Sequence, residues 1–179
     1  MPKRAPKPAP AFTLRPGESI TFTLPVVPRT KKNHGSVIHR GGRKFHIPSE
    51  AYTTMEGQIV AWARSRSLQG ALFVAADRRL HGACDLFLAQ PLNCCAIFYR
   101  DADRGDAVGY YQGLADALEA AGVVADDKWI KQWDGSRLAK DASRPRIEVT
   151  LRALTAEELE RKPEPDDERC PTCGHSDGE

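Results

Sequence analysis

Uninterrupted apolar stretches are missing from this 179-residue chain, where nothing approaches the roughly 20 apolar residues that a bilayer-spanning helix requires. The opening decapeptide MPKRAPKPAP carries basic residues with no apolar segment behind them, which is the wrong pattern for an export signal. No membrane partner is expected, and a cytoplasmic setting is the default. Cysteine is scarce and odd in number, five in all, which argues against a disulfide framework and for reduced thiols or a metal site. Acids are nearly missing from the first 46 positions, where Glu18 stands alone against ten lysines and arginines. The deficit reverses at the other end. Residues 156–179 hold nine acids and three basic residues, so the formal net charge of +2 hides a polarised chain.

A basic front end calls for a polyanion, and nucleic acid is the commonest one in a cytoplasm. Lys3, Arg4 and Lys7 read as solvated tail charges. The denser group of Arg29, Lys31, Lys32, Arg40, Arg43 and Lys44, with Asn33 among them, reads as a nucleic-acid-binding surface. Its contacts would go to phosphates and recognise shape more than sequence. His34, His39 and His46 lie in the same region and are assigned no metal role.

Residues 1–15 read as a disordered basic leader, 16–155 as the folded domain, and 156–179 as an acidic tail containing Cys-Pro-Thr-Cys-Gly. Residues 19–24 alternate polar and apolar with many β-branched side chains, which predicts a half-buried strand ended by Pro25. Residues 36–39 and 43–47 flank a glycine pair and predict a basic hairpin. Ser49 caps a predicted helix that ends near Arg66 and turns Tyr52, Met55, Ile59, Trp62 and Ala63 to a buried face. Residues 79–89 and 94–99 read as an antiparallel pair turned at Pro91-Leu92-Asn93. A second amphipathic helix runs from Ala107 through Leu118 and closes at Gly122, and strands 129–138 and 146–154 complete the domain. This interspersed order predicts an α+β fold, a mixed or antiparallel sheet packed by two main helices. Trp129 and Trp133 would share a strand face and serve packing or an interface, with base stacking as the alternative.

The segment RDADRGDAVGYYQGLADALEAAGVVADDKWI carries the chemistry. Asp101, Asp103 and Asp106 precede or open the second helix, and Asp126 and Asp127 come after it. Carboxylates here would complement a helix dipole or bind Mg²⁺ or Mn²⁺, hard cations that accept such oxygens and activate water for phosphodiester hydrolysis. A helix of about 16 residues is about 24 Å long, so acids at its two ends cannot share one metal along a straight helix. Either the chain after Gly122 runs back toward Asp106, or a second subunit completes the site.

Residues 106–127, with Thr23-Leu24-Pro25 and Lys32-Asn33 upstream, resemble the RusA family of Holliday junction resolvases, the crossover junction endodeoxyribonucleases. The family pattern is a strand ending in Leu-Pro, a polar stretch with Asn, a basic loop, a helix, and Asp-x-Asp-Asn-Leu-x-Lys running into Asp-Ala-Leu, a glycine and Asp-Asp. Asp116-Ala117-Leu118, Gly122 and Asp126-Asp127 fall where that pattern wants them, and an ungapped count puts Asp106 at its first acid. The resemblance covers roughly residues 19–154. It implies a homodimeric, Mg²⁺-dependent endonuclease that cuts branched DNA in recombination and repair, with Asp101, Asp103, Asp106, Asp126 and Asp127 as the pool of ligands. Val108, Gly109 and Gln112 replace the second Asp, the Asn and the Lys of the pattern. Asp101-Ala102-Asp103 restores the paired acids if a short insertion precedes the helix, and Lys128 or Lys131 restores the cation. The rival reading is a DNA-binding protein on the same scaffold that has lost its chemistry.

Cys170 and Cys173, with His175 beyond, form half of a zinc knuckle without a second pair in the chain. The alternatives are free thiols, or a zinc shared between two tails, and a zinc-dependent interaction protein is the third functional reading. Cys94 and Cys95 are adjacent in a predicted strand and point to opposite faces, and with Cys84 they read as small apolar residues.

Overall fold

The computed structural model describes residues 12–31, 36–40, 42–65, 72–73, 86–103 and 105–160. The first strand, β1 (Ser19–Leu24), is followed by the hairpin strands β2 (Ser36–Arg40) and β3 (Arg43–Ile47), helix α1 (Glu50–Arg64) and the two-residue β4 (Leu72–Phe73). The second half holds β5 (Leu92–Arg100), α2 (Ala107–Ala120), a 3₁₀ turn (Asp127–Trp129), β6 (Ile130–Gln132), β7 (Arg137–Lys140), β8 (Arg146–Ala153) and the short α3 (Ala156–Glu160). One mixed sheet runs β4-β1-β8-β5-β6, with β7 also on the outer side of β5, and β2-β3 pair by themselves. The fold is α+β.

The period-two pattern read in β1 and β8 is realised in the burial. Ile20, Phe22 and Leu24 of β1 and Ile147, Val149 and Leu151 of β8 are buried, whereas their alternates are half-exposed. Both helices press on that buried face. Phe22 meets Trp62 of α1 with ring centroids 5.1 Å apart, and Phe98 of β5 meets Tyr110 and Tyr111 of α2 at 5.4 and 5.8 Å. Cys94 and Cys95 point to opposite faces as predicted, and burial pushes the Cys94 thiol well above its ordinary pKa. Ser49 caps α1 by accepting from the Tyr52 amide at 3.2 Å. Gly122 has φ +74° and closes α2 with paired bonds, its own amide to the Glu119 carbonyl and the Val123 amide to the Leu118 carbonyl.

Several boundaries differ from the sequence reading. Folded structure reaches back to Phe12: Phe12 and Leu14 join the core, and the Gln90 amide clasps Leu14 by both its backbone amide (3.1 Å) and its carbonyl (3.0 Å). At the other end, the first residues of the acidic stretch form α3. There Thr155 caps the turn and Arg152 grips Glu158 through two bonds of 2.9 and 2.7 Å. The antiparallel partner of β5 is β8 rather than the segment before Pro91, where Leu88 bridges Val124 in parallel instead. Residues 79–85 of that predicted strand, and Cys84, lie outside the described residues.

The predicted strand 129–138 is broken into the 3₁₀ turn, β6 and β7. Both pieces run parallel to β5, and the gap between them is stitched to it by side chains. Asn93 takes the Asp134 amide on its Oδ1 at 2.9 Å, and the Ser136 hydroxyl donates to the Cys94 carbonyl and accepts from the Ala96 amide, both at 2.9 Å. Asn93, which reads as a turn residue in sequence, thus satisfies backbone that the break would leave unpaired. Trp133 and Trp129 do not share a strand face. Trp133 stacks on Tyr111 (4.9 Å, 8°), and Trp129 ends the 3₁₀ turn.

Gly113 of α2 has a specific packing role. A Cβ there would come within 3.2 Å of the buried Tyr52 ring and 3.3 Å of the Arg29 carbonyl, whereas the exposed Gly57 of α1 has open space around it. Gly57→Ala should therefore stabilise the protein by about 1 kcal/mol through helix propensity. Gly113→Ala should lose that gain to overpacking, which costs about 1–3 kcal/mol. Thermal melts of the two variants should move in opposite directions. A second melt series tests the α3 anchor. The Arg152 guanidinium lowers the pKa of Glu158 from its ordinary 4.5 to about 2. The contribution of a depressed carboxyl is complete above its unfolded value and fades as pH falls through the folded one. The Tm difference between wild type and Glu158→Gln should thus hold above pH 4.5 and shrink toward pH 2.

Candidate functional site

The chain around α2 gathers acids at two separate poles. The first adjoins the C-terminal end of β5. Asp101 is held by Arg29 in a two-pronged pair, Nη1 to Oδ1 at 3.1 Å and Nη2 to Oδ2 at 2.9 Å, and the Asp101 Oδ1 also accepts the Ala102 amide. The guanidinium bond holds its carboxyl below the ordinary aspartate range. Asp103 pairs with Arg100 at 2.7 Å, and Arg100 reaches there from an almost fully buried position beside the Tyr110 ring. Asp106 is the N-cap of α2 and accepts the Gly109 amide at 2.6 Å.

The second pole lies past the C-terminal end of α2. Carboxylate oxygens of Glu119, Asp126 and Asp127 all lie within 4.8 Å of one another, a spacing that suits a shared metal ion. Asp126 also caps the 3₁₀ turn through the Lys128 amide and faces the Lys128 Nζ at 3.4 Å. Glu119 was not among the acids singled out from the sequence. The signal was present in Gly122, since a left-handed residue after a helix reverses the chain and sets the last helical turn beside residues 123–127.

The chain after Gly122 does not run back along α2. The Leu88 amide donates to the Val123 carbonyl (2.9 Å) and the Ala125 amide to the Leu88 carbonyl (2.8 Å), which ties residues 123–125 near the start of β5. Ile130 then pairs with Leu92, the first residue of that strand, whereas Asp101 comes after its last. Nine strand residues span about 30 Å, and the 14-residue α2 between Asp106 and the second pole spans about 21 Å. Within one subunit, Asp127 is therefore remote from Asp101, Asp103 and Asp106. The fold-back arrangement is excluded, and only completion by a second subunit would unite the two groups.

The cations sort differently from the sequence reading. Arg29 and Lys31, expected on phosphates, are engaged inside the molecule, Arg29 with Asp101 and Lys31 with Asp116 of α2 at 2.6 Å. Gln112, where the family pattern has Lys, is exposed one helical turn before Asp116, so the Lys31 ammonium occupies the neighbouring turn of α2. Lys128 is exposed beside Asp126 of the second pole, and Lys131 is exposed in β6. Arg40 lies opposite Arg43, and His39 opposite Lys44, in the β2-β3 register. Lys32, Asn33, Cys170, Cys173 and His175 lie outside the described residues.

Val108 and Gly109 have distinct surroundings. Val108 is 67% exposed in the first turn of α2, so an apolar side chain faces solvent where the pattern has an acid. Gly109 is packed tightly, since a Cβ would meet the Asp106 Oδ1 at 3.1 Å and Thr30 at 3.3 Å. An Asn there would crowd the Asp106 and Thr30 side chains. No helix among the described residues is long and apolar enough to cross a membrane. No family model and no curated protein matches the chain.

Three clustered carboxylates repel one another, and one neighbouring ammonium, that of Lys128, offsets part of that repulsion. Mg²⁺ or Mn²⁺ should therefore raise the Tm of the wild type by a few degrees and that of Asp127→Asn by less. In metal-free buffer of low ionic strength, Asp127→Asn should melt no lower than wild type. Differential scanning fluorimetry with and without the ion reads both effects, and identical metal responses would deny the second pole a cation.

Proposed function

We propose that the protein is a RusA-like, Mg²⁺-dependent endonuclease that hydrolyses phosphodiesters in branched DNA and works as a homodimer. The observation that carries this reading is the grouping of Asp127, the last acid of the family pattern, with Asp126 and Glu119 as three hard oxygen donors at one partly exposed point. The Asp101, Asp103 and Asp106 of one subunit would meet Asp127 of the other, which reconciles a ligand set split across about 20–30 Å of one chain with a single metal centre. In that arrangement the metal would neutralise charge on the scissile phosphate and activate the attacking water. Lys128 beside Asp126 supplies the positive charge that Gln112 lacks. The β2-β3 hairpin, with Arg40, Arg43 and Lys44 in its strands, grips the arms of the DNA through phosphates.

A second reading has its own support. Asp101 and Asp103 are both neutralised by arginines, and Val108 stands exposed at a pattern acid, as expected for a scaffold that binds DNA without cutting it. The zinc-dependent interaction reading depends on Cys170 and Cys173 and has no support among the described residues.

One experiment separates the first two. A synthetic four-way junction is incubated with Mg²⁺ or Mn²⁺ and wild type, Asp127→Asn, or the double variant Asp101→Asn/Asp103→Asn. Wild type should nick and each variant should lose at least about a hundredfold, as expected when one centre loses a ligand or an oriented charge. Co-expressed subunits of the two variants should regain nicking, because each mixed dimer keeps one intact site. Metal-independent binding without nicking by wild type would favour the non-catalytic reading. Asp106→Asn isolates charge from capping, since Asn caps as well as Asp.

A further inference from the structure

We infer that Arg29 is a displaceable counter-ion whose exchange from Asp101 to a DNA phosphate exposes Asp101 to the divalent cation. The inference rests on the endonuclease reading and adds to it an order of events and a positioning residue. Both oxygens of Asp101 are occupied by the guanidinium at 2.9 and 3.1 Å, and Oδ1 takes the Ala102 amide as well. Mg²⁺ needs a carboxylate oxygen at about 2.0–2.1 Å in near-octahedral geometry. The Arg29 fork and the Ala102 amide together fill both lone-pair sites of Oδ1 and one of Oδ2, and the guanidinium charge repels a cation approaching the site that is left. Arg29 and the metal therefore compete for Asp101.

A phosphodiester offers what the carboxylate offers, two oxygens sharing a negative charge, and guanidinium recognises both with the same fork. The pair is well placed for such an exchange. Its side chains are 32% and 36% exposed, so solvent and a phosphate can reach them. The Arg29 backbone is fixed. Its amide points at the Met55 sulfur at 3.2 Å, and its carbonyl and Thr30 lie against the two glycines of α2, where any Cβ would crowd them. Only the side chain needs to swing, and a fixed root keeps the guanidinium close to Asp101 after it leaves. Gly109 and Gly113 acquire a role in this scheme, since they let the segment 29–31 approach α2 closely enough to hold Arg29 over the first pole.

Neutralising Asp101 until substrate arrives couples metal and DNA in one equilibrium, and such coupling is reciprocal. In the free protein the cation should bind weakly at this pole. A bound phosphate should strengthen metal binding, and the metal should strengthen DNA binding by the same factor. Arg29 thus acts on the metal through Asp101 and on the substrate directly.

The test uses the full chain. Mn²⁺ binding without DNA is followed by the loss of the free-ion EPR signal for wild type, Arg29→Gln, Arg29→Lys, Asp101→Asn and Arg29→Gln/Asp101→Asn. Arg29→Gln should bind Mn²⁺ about five- to tenfold more tightly than wild type, at the low end of typical coupling factors. Arg29→Lys, which keeps the charge and loses the fork, should lie between them. The gain should vanish in the double variant. Fluorescence anisotropy of a labelled four-way junction should show Mn²⁺ tightening the wild-type complex by a similar factor and leaving the Arg29→Gln complex unchanged.

Equal Mn²⁺ affinity in wild type and Arg29→Gln, or a gain that survives removal of Asp101, overturns the exchange. If wild type still nicks the junction in that case, the endonuclease reading stands without it. If wild type neither binds Mn²⁺ nor nicks, both fall together.

Discussion

A parallel crossover obliges the chain to travel the full length of the strand it leaves before it can pair again. That obligation shapes everything around α2. The helix carries the chain from the last residue of β5 back toward its first, where β6 begins in register with Leu92. Acids before the helix and acids after it are thereby assigned to opposite ends of the sheet. Helix length decides the matter over any preference of the carboxylates, since one cation cannot be shared across about 20 Å. A functional site that uses both groups must be built from two chains, and one that uses a single group must manage with the acids of that pole.

Each pole balances its charge differently. At the first, two arginines face three acids, and one of those acids also serves as a helix cap. At the second, three acids converge with Lys128 beside Asp126. A cation arriving from solvent would be drawn to the second pole first, because its carboxylates already stand close enough to share an ion. The basic segment that sequence suggested for DNA supplies part of this balance. Lys31 pairs with Asp116 and Arg29 with Asp101, so both cations balance acids of the same chain.

Period and punctuation carried most of the fold that could be read in advance. The alternation in residues 19–24, Ser49 before α1, and Gly122 after α2 each encode a local hydrogen-bonding demand, and each is met locally. What stayed hidden depends on partners distant in sequence. Gln90 looks like any loop glutamine until Leu14 lies beside it, and Asn93 looks like a turn residue until Asp134 comes within reach. The site obeyed the same division. The five aspartates stand close together in sequence yet fall at two poles of the fold, and Glu119 was recognisable only once the left-handed turn at Gly122 had been followed through. The arginine partners of Asp101 and Asp103 were less accessible still, because nothing in local spacing links position 29 to position 101.

The stitched interruption between β6 and β7 has a further effect on how the molecule meets its neighbours. An unbroken outer strand would present a row of free amides and carbonyls on which another polypeptide could polymerise. Here that side is divided into pieces of three and four residues, and β4 on the opposite side has two. Among the described residues, the outer strands of this sheet are too short to offer a foreign strand a long template.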